Sequence, residues 1–124
     1  MRTSLTPEEL EYLTGERRLG RLATVQPDGF PHAVPVGWRY NADLGTIDIS
    51  GLNFAATKKF RNVAANPKVA FVVDDVLPPW RPRCVMIRGT AQTIAAHGHG
   101  ETAEGALIRV TPEKIVSWGF DAQP

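Results

Sequence analysis

The chain has 124 residues and a mass of 13.6 kDa, with 43% hydrophobic and 22% charged residues, which is the make-up of one ordinary globular domain spanning 1–124. Fourteen basic residues against thirteen acidic leave a net charge of +1, which argues against a nucleic-acid partner. A single cysteine, Cys84, excludes an internal disulfide and a cysteine-rich metal site, and no apolar run reaches the length of a membrane span. With no signal-peptide pattern at its start, the chain is expected to work in the cytoplasm.

In chain order, the first element is a helix over about residues 7–14. Thr6 supplies a capping hydroxyl, Pro7 suits the first helical position, Glu9 can reciprocate the cap and Gly15 supplies a stop. Leu10 and Leu13 give it an apolar face. From Leu19 the period changes to two. Residues 19–26 read as a strand, Pro27-Asp28-Gly29 as a turn and 32–38 as a second strand with Val34, Val36 and Trp38 on one face. Pro35 cannot donate to a ladder, so that strand belongs at an edge or carries a bulge.

A turn at 41–45 leads to a third strand over 46–50, with Ile47 and Ile49 inward. Residues 54–65 are helix-compatible and end at Asn66-Pro67. The next strand, 68–74, is apolar on both faces, as expected in a closed barrel or at a subunit contact. Pro78-Pro79-Trp80-Arg81-Pro82 makes an extended loop, 83–93 a fifth strand, and 106–110 with 114–120 the last strand or strand pair. Short strands with one or two small helices in a chain of this size predict a mainly β small barrel.

The chain has no glycine-rich phosphate loop, no nucleophile elbow and no set of side chains with metal-ligand spacing, so no metal and no self-contained acid–base chemistry is predicted. The protein either binds a ligand or borrows its chemistry from a cofactor. The segment from Ser50 to Arg61 carries the sharpest signal. If Thr57 caps the second helix, Lys58 and Lys59 occupy a first turn where the helix dipole disfavours cations and a bound phosphate would reverse that sign. If Asn53 is the cap, the lysines move to the second turn and the argument weakens. A solvated basic face remains the competing reading. His97 and His99 have ligand-like side chains in a glycine-rich stretch that fixes no geometry. Arg81, Arg83 and Arg88 form a second basic cluster.

Leu19-Gly20-Arg21-Leu22-Ala23-Thr24, Asp28-Gly29-Phe30-Pro31-His32 and Val34-Pro35-Val36 resemble the opening strands of the pyridoxamine 5'-phosphate oxidase-like split β-barrel superfamily. Lys58-Lys59-Phe60-Arg61-Asn62 followed by Asn66-Pro67-Lys68-Val69-Ala70 resembles its helix-to-strand passage. Asp74-Asp75, Ile87-Arg88-Gly89-Thr90-Ala91, and Ile108 to Pro112 through Ser117-Trp118-Gly119 resemble its deazaflavin (coenzyme F-420) branch. The resemblance implies a mainly β, six-stranded antiparallel split barrel that forms a homodimer with cofactors between subunits. It implies that Ser50, Thr57, Lys58 and Lys59 hold the cofactor phosphate with Arg61 nearby, and that Val34, Pro35, Val36 and Ile49 lie along its ring. Trp118 and Trp80 would close the cleft from the other subunit. The activity implied is hydride transfer between coenzyme F-420 and a conjugated acceptor. Alternatives are an FMN enzyme of the same fold and a non-catalytic flavin or deazaflavin carrier.

Overall fold

In a computed structural model that describes residues 2–96 and 105–120, one antiparallel sheet carries most of the chain. Its strands are β1 (Gly20–Val25), β2 (Pro31–Val36), β3 (Trp38–Asn41), β4 (Thr46–Ser50), β5 (Lys68–Leu77), β6 (Arg81–Ile94) and β7 (Leu107–Trp118). Their order across the sheet is β2-β1-β5-β6-β7-β4-β3. The two outermost strands, β2 and β3, are separated in sequence by Gly37 alone. A sheet whose opposite edges are one residue apart has to curl until they meet, and the result is a barrel split along that seam.

The interior confirms the curl. Phe71 on β5 is fully buried and meets Trp38 on β3 edge-to-face, with ring centroids 5.4 Å apart, although three strands separate them in the ladder. Leu22, Ile47, Ile49, Phe71, Ile87 and Ile108 fill one continuous core. The seven strands differ from the six expected because the segment read as one strand over 32–38 breaks at Gly37. Its first half pairs with β1 and its second with β4. Pro35 does lie on an edge strand. The last strand is single rather than a pair. Pro112 continues it opposite Gly89, and a register shift at Arg88/Gly89 leaves Glu113 as the extra residue of a bulge.

Helix α1 (Pro7–Gly15) begins with the expected capping box. Thr6 Oγ1 accepts from the Glu9 amide at 3.2 Å and Glu9 Oε1 accepts from the Thr6 amide at 2.9 Å. Its buried side is Glu9, Tyr12 and Leu13 rather than Leu10 and Leu13. The Arg2 guanidinium, bonded to both Glu9 oxygens, and the Ser117 hydroxyl draw that carboxylate inward. Tyr12 donates to Asp75 at 3.1 Å, and Arg83 and Arg18 donate to the same carboxylate. These contacts clamp α1 across β5 and β6.

The segment read as one helix over 54–65 is two pieces. A 3-10 turn, Phe54–Ala56, follows Asn53 in the left-handed region at φ 49°, and an extended Thr57 then caps α2 (Lys58–Ala65). Buried Asn62 and Val63 turn α2 into the barrel, where Asn62 Nδ2 donates to Thr24 Oγ1 at 3.0 Å.

Candidate functional site

Thr57 resolves which residue opens the second helix. Its hydroxyl accepts from the Phe60 amide at 3.4 Å and donates to the Phe54 carbonyl at 2.7 Å. The first two amides of α2, those of Lys58 and Lys59, therefore have no intrahelical acceptor. No acidic residue lies in that turn. The helix opens with two ammonium groups where its dipole favours an anion. Lys58 also acts on Asp28 in the β1–β2 turn. That carboxyl lies below its usual range, first through the Phe30 amide, then through Gln26, with the Lys58 charge a smaller contribution.

Phe54 joins this turn to the end of β4. It is buried, its ring meets Phe60 at 5.8 Å, and the Lys59 ammonium sits 5.1 Å from its centroid. A Cβ placed on Gly51 would lie 3.5 Å from the same ring. Ser50, Gly51, Phe54 and Lys59 thus form one contiguous corner. Ser50 is exposed there, on the same face as Asp48 and beside a cleft of about 290 Å³ that Arg39, Asp48 and Leu107 also line.

Asp48 fixes this corner and was not visible from sequence. It is buried on the outer face of β4, where Thr46 and Arg109 Nε donate to Oδ1 and Asn41 and Arg109 NH2 donate to Oδ2, all at 3.0 Å. Burial pushes its carboxyl up, and the bonds from Arg109, Asn41 and Thr46 outweigh that and hold it below the usual range. Arg109 is 61 residues away in sequence, so no local pattern announces the pair.

Other predicted residues fall differently. Arg61 donates to the Ala56 carbonyl at 2.7 Å, so it braces the 3-10 turn. Val34 is half-buried and Pro35 exposed on β2, whereas Val36 and Ile49 are core residues, 5% and 0% exposed, and Ile49 offers no surface to a ligand within one chain. Trp118, 50% exposed, stands opposite Cys84, which stands opposite Asp74, and Trp80, 76% exposed, lies in the loop beyond Leu77. Asp74 and Leu77 are about 20 Å and about 30 Å along β5 from Lys68, the end of the strand that follows α2, at 3.3 Å per residue. One chain therefore does not bring either tryptophan to Thr57, Lys58 and Lys59. Arg83 is committed to Asp75. His97 and His99 lie outside the described residues. Among the described residues no three His, Cys, Asp or Glu side chains converge to hold a metal ion, and no helix is long and apolar enough to cross a membrane.

The sequence profile described as pyridoxamine 5'-phosphate oxidase matches residues 6–119. The chain belongs to the pyridoxamine 5'-phosphate oxidase family. Within reach of that family, it is 44% identical over 120 residues to the 5a,11a-dehydrotetracycline/5a,11a-dehydrooxytetracycline reductase of Streptomyces rimosus, covering 94% of this chain and 84% of that one. Its fold is similar to that of a conserved hypothetical protein of Mycobacterium tuberculosis, with a TM-score of 0.74 at 18% identity, covering 96% of this chain and 88% of the other. It is also similar to a solved F420 reductase, with a TM-score of 0.64 at 22% identity and coverage of 90% and 98%. As expected for the pyridoxamine 5'-phosphate oxidase family, the fold is a mainly β split barrel with two helices.

Proposed function

We propose that this protein is a deazaflavin (F-420)-dependent oxidoreductase that passes a hydride between the reduced cofactor and a conjugated organic acceptor. The observation that carries the reading is the first turn of α2, where two uncommitted amides and two ammonium groups meet beside the end of β4. That donor set suits a phosphate anion. The 44% identity to a reductase of dehydrotetracyclines supports reduction of a conjugated substrate, and the likeness to an F420 reductase is in keeping with the cofactor. When bound, the cofactor supplies the hydride. The chain's part is to hold it: Ser50, Thr57, Lys58 and Lys59 at the phosphate, with Asp48 and Arg109 keeping the end of β4 in place and the barrel wall excluding water.

Titrating cofactor-free protein with F-420 and with FMN tests this reading. Lys59→Ala is expected to weaken binding by roughly 1.5–3 kcal/mol, about the contribution of a charged hydrogen bond. Unchanged affinity would return Lys59 to a solvated surface, and tighter binding of FMN than of F-420 would move the protein to the flavin branch.

The working unit we propose is a cytoplasmic homodimer, because Trp118 and Trp80 can complete the site only from a second copy. The outer face of the sheet suits the contact. Val72, Met86 and Val116 stand opposite one another across β5, β6 and β7, all half-buried, beside the exposed Trp118. Met86→Lys is expected to shift the protein to monomers in sedimentation equilibrium and to lower cofactor affinity together with dimer content.

A further inference from the structure

The hollow between the end of α1 and the free edge of β3 has a volume of about 360 Å³ and shares only Arg39 with the cleft beside Ser50. Its wall is aromatic. Trp38 is fixed by a 2.8 Å bond from its Nε1 to the Arg18 carbonyl and by its contact with Phe71. Tyr40 packs half-buried against the core, and its hydroxyl has no protein partner among the described residues.

The rim is cationic. Arg18 is spent on Asp75, on Glu16 and on the Tyr12 carbonyl. Arg17 has no hydrogen bond or ion pair among the described residues. Arg39 comes within 3.7 Å of Asp48, but Arg109, Asn41 and Thr46 already bond that carboxylate. Two guanidinium groups therefore border an aromatic wall, Arg17 with no carboxylate among the described residues and Arg39 with only a long contact to one that other groups already bond, while the one acid of the rim, Glu16, is held by Arg18 at 3.0 Å. Planar guanidinium forks match carboxylate and phenolate oxygens, and aromatic walls match flat conjugated rings. Trp38 also stands opposite Ile49, one residue before Ser50, so the hollow flanks the proposed cofactor corner.

We infer that this hollow binds a planar, conjugated molecule bearing an acidic oxygen, an aromatic carboxylate or a phenolate. Its role as the acceptor side of the reaction rests on the oxidoreductase reading; its capacity to bind does not.

The test uses cofactor-free protein with three probes: 1-naphthoate, neutral 1-naphthol and non-planar cyclohexanecarboxylate. Binding is followed by calorimetry and by the indole NH signal of Trp38. Naphthoate is expected to bind and move that signal, and cyclohexanecarboxylate to bind about tenfold more weakly for want of a flat ring. The exposed pair Arg17→Gln with Arg39→Gln is expected to weaken naphthoate about tenfold, in keeping with two surface ion pairs, while 1-naphthol is unaffected. An unmoved Trp38 signal, or equal naphthoate affinity in the variant at an unchanged melting temperature, would overturn the site. Either result would leave the Lys59 titration standing, because no cofactor is present in this experiment.

Discussion

Through Glu9 and Asp75 alone, lowering the pH from 5 to 2 is expected to remove about 4 kcal/mol from the unfolding free energy, and Asp48, also held below its usual range, adds to the loss in the same direction. Burial raises the Glu9 carboxyl, but bonds from Arg2, Ser117 and the Thr6 amide prevail and bring it down to about 2. Asp75 is likewise held at about 2, first by Arg83, against the opposing effect of burial, and further by Arg18 and Tyr12. A carboxyl with a depressed folded-state pKa contributes its full stability above the unfolded-state value and loses it as pH falls towards the folded one. The window therefore runs from about pH 4.5 down to about pH 2. The shift at Glu9, whose side chain is 3% exposed, corresponds to about 3 kcal/mol. Asp75, 27% exposed, is partly screened by water and contributes about 1 kcal/mol. Urea unfolding across this range measures the sum. Glu9→Gln is expected to be less stable at pH 7 and to lose most of the slope, and a variant with the parent's slope would show that Glu9 is not the titrating group.

Gly89→Ala is the substitution expected to damage the fold most directly. A Cβ there would lie 2.1 Å from the Thr111 carbonyl oxygen and 3.0 Å from its carbon. Both atoms belong to backbone at the bulge in β7, inside the longest ladder of the sheet, so no side chain can swing aside. Relief requires β6 and β7 to separate locally, at a cost of about 3 kcal/mol or more. Gly15→Ala is the matched control. Nothing lies within 4 Å of a Cβ there, and its stability is expected to change by less than about 1 kcal/mol. Comparable melting temperatures for the two variants would refute the argument.

What could be read from sequence was what the chain encodes locally. The capping box at Thr6 and Glu9, the alternation of β1 and β4 and the continuous apolar run of β5 depend on residues a few positions apart, and each element formed where its pattern lay. The boundary at Gly37 escaped because β2 and β3 share one unbroken pattern. What divides them is the partner each finds, β1 or β4, and that is a property of the curled sheet. Of Thr57 and Asn53, the two caps the sequence allows for α2, the extended Thr57 is the one used, because it closes the 3-10 turn that follows Asn53 before the helix begins. The phosphate corner was legible in Thr57, Lys58 and Lys59, since a helix that opens on cations is conspicuous in one dimension. Its supports were not. Asp48 with Arg109, and Phe54 beneath Lys59, are brought together by pairings across most of the chain.

The seam at Gly37 also bears on the order of assembly. Its two flanking strands are nearest neighbours in the chain, yet they never form the hairpin that so short a separation would make fastest. Their edges meet only after β4 has found β7, so closure waits on contacts with a large loop-closure entropy. Amide protons along β5 and β6 should therefore exchange last, and those bordering the seam first, which makes it the part of the wall that opens at least cost to the remainder.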